Sequence, residues 1–147
     1  MSQQANASAH FAREHYRVFY PITTRWHDND IYGHVNNVIY YSYFDSAVNR
    51  YLIEEGGLDI HNSDIVAFVV NSSCDYRAPI AYPQQLEAGI RVEKLGSSSV
   101  VYRVGIFLSG AAEAAASGSF THVFVARSEN RSVSIPAPIR QSLSHIG

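Results

Sequence analysis

With 147 residues, 46% apolar and 16% charged, the chain is long enough for one domain with a hydrophobic core and too apolar to be disordered. Eleven basic against thirteen acidic residues give a net charge of −2, which makes no electrostatic case for nucleic acid or a membrane surface as partner. The single cysteine, Cys74, excludes an intrachain disulfide and a cysteine-based metal site, and in its strand-like run it reads as a small buried hydrophobe.

Residues 1–14 read as a loose N-terminal tail, with a single domain over 15–147. The first dozen residues are polar and small, without the basic start and apolar centre of a signal peptide, and no apolar run is long enough to span a bilayer. The expected location is therefore the reducing cytoplasm. Residues 16–26 are rich in β-branched and aromatic types and predict a strand, with Pro21 at a bulge or an edge because it cannot donate to a ladder. A polar knot follows, and then the period changes. Over 37–55, Tyr40, Phe44, Ala47, Val48, Tyr51 and Leu52 recur at three- and four-residue steps, which predicts a helix with one buried face. Asn36 or Asn37 is placed to cap its start, and Gly56-Gly57 supplies a left-handed stop.

The remainder predicts strands. Residues 65–75 are continuously apolar at first and then alternate; 76–83 form a turn-rich link carrying Pro79 and Pro83. Residues 85–94 and 98–109 flank Leu95-Gly96-Ser97, a compact hairpin signal. The alanine-rich start of 113–127 has helical propensity but no apolar stripe and follows a turn, so it is assigned to a strand. Residues 128–131 make another tight turn, and Pro136-Ala137-Pro138 leads into a short helix ending near His145. The order is strand, long helix, four antiparallel strands: an α+β arrangement whose sheet must curl round the helix to cover it.

The knot, Asp28-Asn-Asp-Ile-Tyr-Gly-His-Val-Asn-Asn37, concentrates acids, amides and imidazoles around Gly33 between two elements that both need a core. With the Val-Ile-Tyr-Tyr that follows, it resembles the Asp-x-Asp-x-x-Gly-His-Val-Asn-Asn segment of hotdog-fold acyl-CoA thioesterases of the 4-hydroxybenzoyl-CoA thioesterase type. Asp75-Tyr-Arg-Ala-Pro79 and Thr121-His-Val-Phe-Val125 resemble the family more weakly. The resemblance implies a five-stranded antiparallel sheet wrapped round one long central helix and hydrolysis of an acyl-CoA to the free acid and CoA. It also implies dimers joined sheet edge to sheet edge, commonly homotetramers, with the acyl pocket between subunits. It calls for no cofactor and no metal. An acyl carrier protein is an alternative bearer of the acyl group.

Thioester hydrolysis needs an attacking oxygen, a donor for the developing oxyanion, and a seat for the pantetheine arm. Asp30, the second acid of the motif, matches the family's catalytic aspartate, as nucleophile or as general base. The first N–H groups of a helix lack intrahelical partners, and the dipole favours negative charge there. With Asn36 as cap, the backbone N–H of Asn37 is such a donor, at the family's carbonyl-polarising position. Gly33 allows close backbone approach or simply makes a turn. His34 either orients water or substrate or braces the loop, and Tyr32, Asn36 and Tyr41 complete the candidate substrate-binding set. Asp28 reads as a solvated or turn-capping acid. Tyr41, Tyr43 and Phe68 are candidates for the acyl channel, and Arg77, Arg91, Lys94, Arg103, Arg127 and Arg131 for the nucleotide phosphates.

Departures from the family patterns narrow the choice. Asn37 stands where some hotdog thioesterases carry a catalytic histidine, and Tyr32 stands where the acyl-carrier-protein branch carries an asparagine. A metal site at His27, Asp28, Asp30 and His34 fits no ligand spacing. No Gly-x-Ser-x-Gly, phosphate-loop or dinucleotide glycine pattern occurs. A binding module that holds acyl thioesters without cleaving them, and an enoyl-CoA hydratase, are the competing functions on this fold.

Overall fold

A computed structural model describes residues 8–147, and it is one curled antiparallel sheet with a long helix in its concave face. The strands are β1 (Val18–Thr23), β2 (Ile65–Tyr76), β3 (Gln85–Leu95), β4 (Ser99–Leu108), β5 (Ala116–Ala126) and a two-residue β6 (Arg131–Ser132). They pair in the order β1-β3-β4-β5-β2, with β6 added to β5 through the turn at 128–131. Helix α1 is Ile39–Glu54 and α2 is Ala137–Ser144. This is the hotdog arrangement, α+β, that the element order implied.

The predicted helix face is the buried one. Tyr40, Phe44, Ala47, Val48, Tyr51 and Leu52 all face the sheet, joined by Tyr43. Each large apolar side chain buried there contributes roughly 1.5–3 kcal/mol. The helix stops as expected: Gly57 has φ 71°, and the N–H groups of Gly56 and Leu58 both return to the Leu52 carbonyl. The helix presses close on the sheet at Gly118 on β5, where a Cβ would lie 2.4 Å from the Phe44 ring and 2.3 Å from the Ser73 carbonyl oxygen.

Several expectations are corrected. The first strand ends at Thr23; Trp26 instead opens a 3-10 turn, Trp26–Asp28, and is exposed. Pro21 is tolerated because β1 is an edge strand, paired only to β3. Residues 8–14, expected as tail, pack on the sheet's outer face: Phe11 is buried with Tyr16, Phe107 and Ala114, and Ala12 bridges to Glu113. The rest of the expected tail lies outside the described residues. The alanine-rich segment is not helical, but the strand expected from Glu113 begins only at Ala116; before it, Glu113 makes an isolated bridge to Ala12 and the Ala114 N–H donates to the Phe11 carbonyl at 2.7 Å. Cys74 is only half-buried on β2, and burial pushes its thiol up to about 11, which keeps it protonated near neutrality.

Candidate active site

The polar knot is a loop held by bonds from most of its backbone N–H groups, with those of Ile31, His34 and Asn37 left without a partner among the described residues. Asn29 and Val35 form a bridge, the Asp30 N–H donates to the His34 carbonyl at 2.9 Å, and the Gly33 N–H returns to the Asp30 carbonyl at 3.0 Å. Gly33 closes this tight loop at φ 82°, a conformation that disfavours any residue with a side chain. Two further bonds tie the loop to its surroundings: Val35 N–H to the Ile80 carbonyl, and Asn36 N–H to the Asp28 carbonyl, both 2.8 Å. The Asn29 side chain also accepts from the Tyr82 N–H at 3.0 Å.

Asp28 is the anchor beneath this loop. It was expected as a solvated or turn-capping acid; it is a turn-capping acid with no exposed surface. Its carboxylate accepts from the Arg25 N–H (2.9 Å), from Arg25 Nε and Nη2 (3.2 and 3.0 Å), and from the Tyr43 hydroxyl on α1 (2.7 Å). Desolvation pushes the Asp28 carboxyl up, but the bonds from Tyr43 and Arg25 outweigh it and hold the group below its ordinary value. Burial and then the Asp28 bond push the Tyr43 phenol up, so it remains a donor. Tyr43 therefore ties helix to loop and belongs to the core, not to an acyl channel.

Asp30, in contrast, is half-exposed. Its Oδ1 accepts from the Tyr32 N–H at 2.9 Å, which fixes the side chain, while Oδ2 accepts no hydrogen bond from the described residues. At the helix start, Asn36 Oδ1 takes the Val38 N–H (3.1 Å) and the Asn36 carbonyl takes the Ile39 N–H (2.9 Å). Asn36 thus serves as the cap, and the intervening Asn37 N–H donates to no group among the described residues. The Asn37 carbonyl is held by the Tyr76 hydroxyl at 3.1 Å.

Two concavities adjoin the loop. One is a cleft of 660 Å³ lined by Trp26, His27, Asn29, Asp30, Ile31 and Gly33. The other is a groove of 300 Å³ that holds His34, Asn37, Tyr40, Tyr76, Arg77 and Pro79. So Asp30 and Gly33 line the first, and His34 and Asn37 line the second. Tyr32 projects into solvent, and Tyr41 is half-buried, edge-on to Phe44. Of the six basic residues, Arg77 lines this groove, whereas Arg91 and Arg103 face the outer surface of the sheet, bonded to or paired with His15 and Glu93. Sequence reasoning missed Tyr76 as the group fixing the Asn37 peptide, and Trp26, Ile31 and Tyr82 as an exposed apolar rim. The signal available was the density of large apolar residues beside a polar loop.

The sequence profile of the thioesterase superfamily matches residues 32–115, more than half of the chain. The chain belongs to the thioesterase superfamily. It is a thioester hydrolase by that membership. The crystal structure of the Pseudomonas aeruginosa protein PA5185 is similar to this thioesterase at 58% identity, with a TM-score of 0.90 over 92% of this chain and 94% of that one. Two more distant structures share the fold. One is the 1,4-dihydroxy-2-naphthoyl-CoA thioesterase Slr0204 from Synechocystis (19% identity, TM-score 0.77, 86% and 94% covered). The other is the gentisyl-coenzyme A thioesterase BH1999 (21%, 0.76, 86% and 99%). Among the described residues no helix is long and apolar enough to cross a membrane.

Proposed function

We propose that this thioesterase hydrolyses an acyl-CoA, with Asp30 supplying the carboxylate and the Asn37 N–H polarising the thioester carbonyl. The observation that carries the reading is the pairing of two unspent groups on one over-bonded loop. Asp30 Oδ2 and the Asn37 N–H have no partner among the described residues, while bonds from the N–H groups of Asp30, Tyr32, Gly33, Val35 and Asn36 fix the loop between them. Such a loop holds its functional groups in place before substrate arrives, which is where electrostatic catalysis gains its effect. In the general-base form, Oδ2 takes a proton from water as the water oxygen bonds to the carbonyl carbon. The oxyanion then forms against the Asn37 N–H, and collapse breaks the C–S bond to give acid and thiol. In the nucleophilic form, Oδ2 itself bonds to the carbonyl carbon, the C–S bond breaks to release the CoA thiolate, which takes a proton from water, and water then cleaves the resulting anhydride to the acid and the Asp30 carboxylate.

A second surface is needed to cover the cleft at Asp30 and the groove at Asn37 and to hold the acyl group against both. Edge strand β2 supports a partner subunit as that surface. It is twelve residues long, carries exposed Phe68, Val69 and Val70, and lacks the proline that protects β1. A homodimer joined through β2, or a tetramer built from it, follows. Arg77 in the Asn37 groove is the basic residue best placed for a CoA phosphate.

The test is thiol release from a panel of aliphatic, benzoyl- and phenylacetyl-CoA thioesters and from acyl carrier protein thioesters, wild type beside Asp30→Asn. Turnover should fall at least 10³-fold in the variant, on the order expected for losing a base or nucleophile, while calorimetry with a non-hydrolysable acyl-CoA analogue gives unchanged affinity. Retained turnover in Asp30→Asn refutes the assignment. Binding without turnover in the wild type would identify a carrier module instead.

A further inference from the structure

On the face of the sheet turned away from α1, three ligand-type side chains converge far along the chain from the catalytic loop. His10 and His15 come from the segment that crosses the outer face, and Glu93 from β3. One donor atom from each lies within 4.8 Å of the others, and His10 Nε2 is 3.4 Å from Glu93 Oε2. That separation matches the edge of a tetrahedral zinc site, where bonds of about 2.0–2.1 Å put ligand atoms roughly 3.3–3.5 Å apart. His15 Nε2 is buried and has no hydrogen-bond partner among the described residues, a costly condition that a metal bond removes. We propose that His10, His15 and Glu93 form a binding site for a divalent transition metal, zinc by the chemistry of its donors, which clamps the N-terminal segment to the sheet.

The backbone that carries both histidines is fixed without any metal. The Tyr16 ring lies over Gly89 and Gly105, which are directly paired across β3 and β4; a Cβ at Gly105 would come within 2.7 Å of that ring, and one at Gly89 within 2.9 Å of the Tyr16 Cβ. The Tyr16 hydroxyl bonds Ser117 Oγ at 2.7 Å and donates to the His10 carbonyl. Arg91 Nη1 donates to the His15 carbonyl at 3.2 Å. Arg103 Nε sits 3.4 Å from Glu93 Oε1, the oxygen turned away from His10, as an ion pair without a hydrogen bond. Its positive charge opposes a cation there, and the expected affinity is micromolar rather than tighter for that reason. A groove of 450 Å³, lined in part by His15, Glu93, Leu143 and Gly147, gives the ion an entry path and a fourth position.

The experiment uses the full, untagged chain, stripped with chelator and then titrated with Zn²⁺ alone in a calorimeter and Co²⁺ alone in the visible spectrum. Wild type should bind one equivalent per chain, with the intense cobalt bands of a four-coordinate site. His10→Gln/His15→Gln should lose that equivalent, Glu93→Gln should weaken it at least tenfold, and zinc should raise the Tm of wild type but not of the double variant. Circular dichroism checks that each variant is folded. No uptake by wild type at about 100 μM Zn²⁺, or an equivalent that persists in the double variant, overturns the proposal.

Discussion

Removing the buried carboxylate beneath the catalytic loop tests whether that loop is held from below. In Asp28→Ala four hydrogen bonds are lost, and their contributions differ. The Arg25 guanidinium is largely exposed and regains water, so its ion pair counts for at most about 1 kcal/mol. The Tyr43 hydroxyl is buried and keeps no partner, a penalty of about 1–3 kcal/mol. The Arg25 N–H and the emptied space add about another 1–2 kcal/mol. The sum, about 2–6 kcal/mol, brackets the usual cost of removing one member of a buried charged network. It should lower Tm by roughly 4–24 °C for a chain of this size. Tyr43→Phe removes a single bond to a charged group and should cost only about 1.5–3 kcal/mol. Urea unfolding should be followed both by circular dichroism and by fluorescence of Trp26, the only tryptophan, which begins the turn that Asp28 caps. In Asp28→Ala the fluorescence transition should precede the global one, and turnover should fall by roughly 10²-fold as Asp30 loses its support. An Asp28→Ala protein within 1 kcal/mol of wild type, with coincident transitions, would refute the reasoning.

Three other outcomes follow from the geometry. Gly118→Ala should destabilise by about 2–4 kcal/mol in urea, above the usual range for an added methyl, because one of its clashes is with the Ser73 backbone and not only with a movable ring; a cost under 1 kcal/mol would mean that α1 does not press on β5 there. His122 is buried against Tyr102 and pushed down to about 4 by desolvation. Since the unfolded chain takes up that proton near pH 6.5, stability should be intact above that pH, decline by about 3 kcal/mol as the pH falls towards 4, and flatten below; His122→Gln should remove this slope. A pH profile unchanged in that variant would assign the acid sensitivity elsewhere. Phe68→Lys/Val70→Lys on the β2 edge should convert the assembly to monomer in light scattering and abolish thiol release while leaving the circular dichroism spectrum unchanged; full activity in a monomer would exclude a site completed by a second chain.

How much of this was legible before the structure depends on where each residue's physics is local. The α1 boundaries fell within two residues because a periodic apolar stripe and a Gly-Gly stop are encoded within the segment itself. The hairpin at 95–97, the turn at 128–131 and the C-terminal helix after Pro136 are local in the same sense. Asp28 was half-legible: its spacing suggested a turn cap, but its burial depends on Tyr43, fifteen residues on, folding over it. Phe11 and Tyr16 looked like tail and strand start because the glycines that receive the Tyr16 ring stand on β3 and β4, over seventy residues away. Within the candidate site, Asp30, Gly33, Asn36 and Asn37 could be read as one loop. Their division between two concavities could not, because it depends on the bridge from Asn29 to Val35 and on the link at Ile80.

These placements divide the work of the chain in a way that bears on its chemistry. The tightly bonded parts are the approach to the loop, where Asp28 joins Arg25 to Tyr43, and its exit, where Asn36 and Tyr76 fix the first peptide of α1. The exposed apolar groups, Trp26, Ile31, Tyr32 and Val38, lie around the same loop. A protein that had only to stay folded would not leave that much apolar surface beside its most polar segment. A hydrolase of an acyl thioester has reason to: the acyl chain requires apolar walls, the carbonyl requires a fixed donor, and the two must meet at one peptide. In the proposed reading the Asn37 N–H is that donor: the carbonyl of its own peptide, that of Asn36, is held by the Ile39 N–H, the next carbonyl is held by Tyr76, and the N–H itself has no partner among the described residues. Loss of rigidity there should depress turnover before it depresses substrate affinity, since the donor's advantage is greatest when the oxyanion forms.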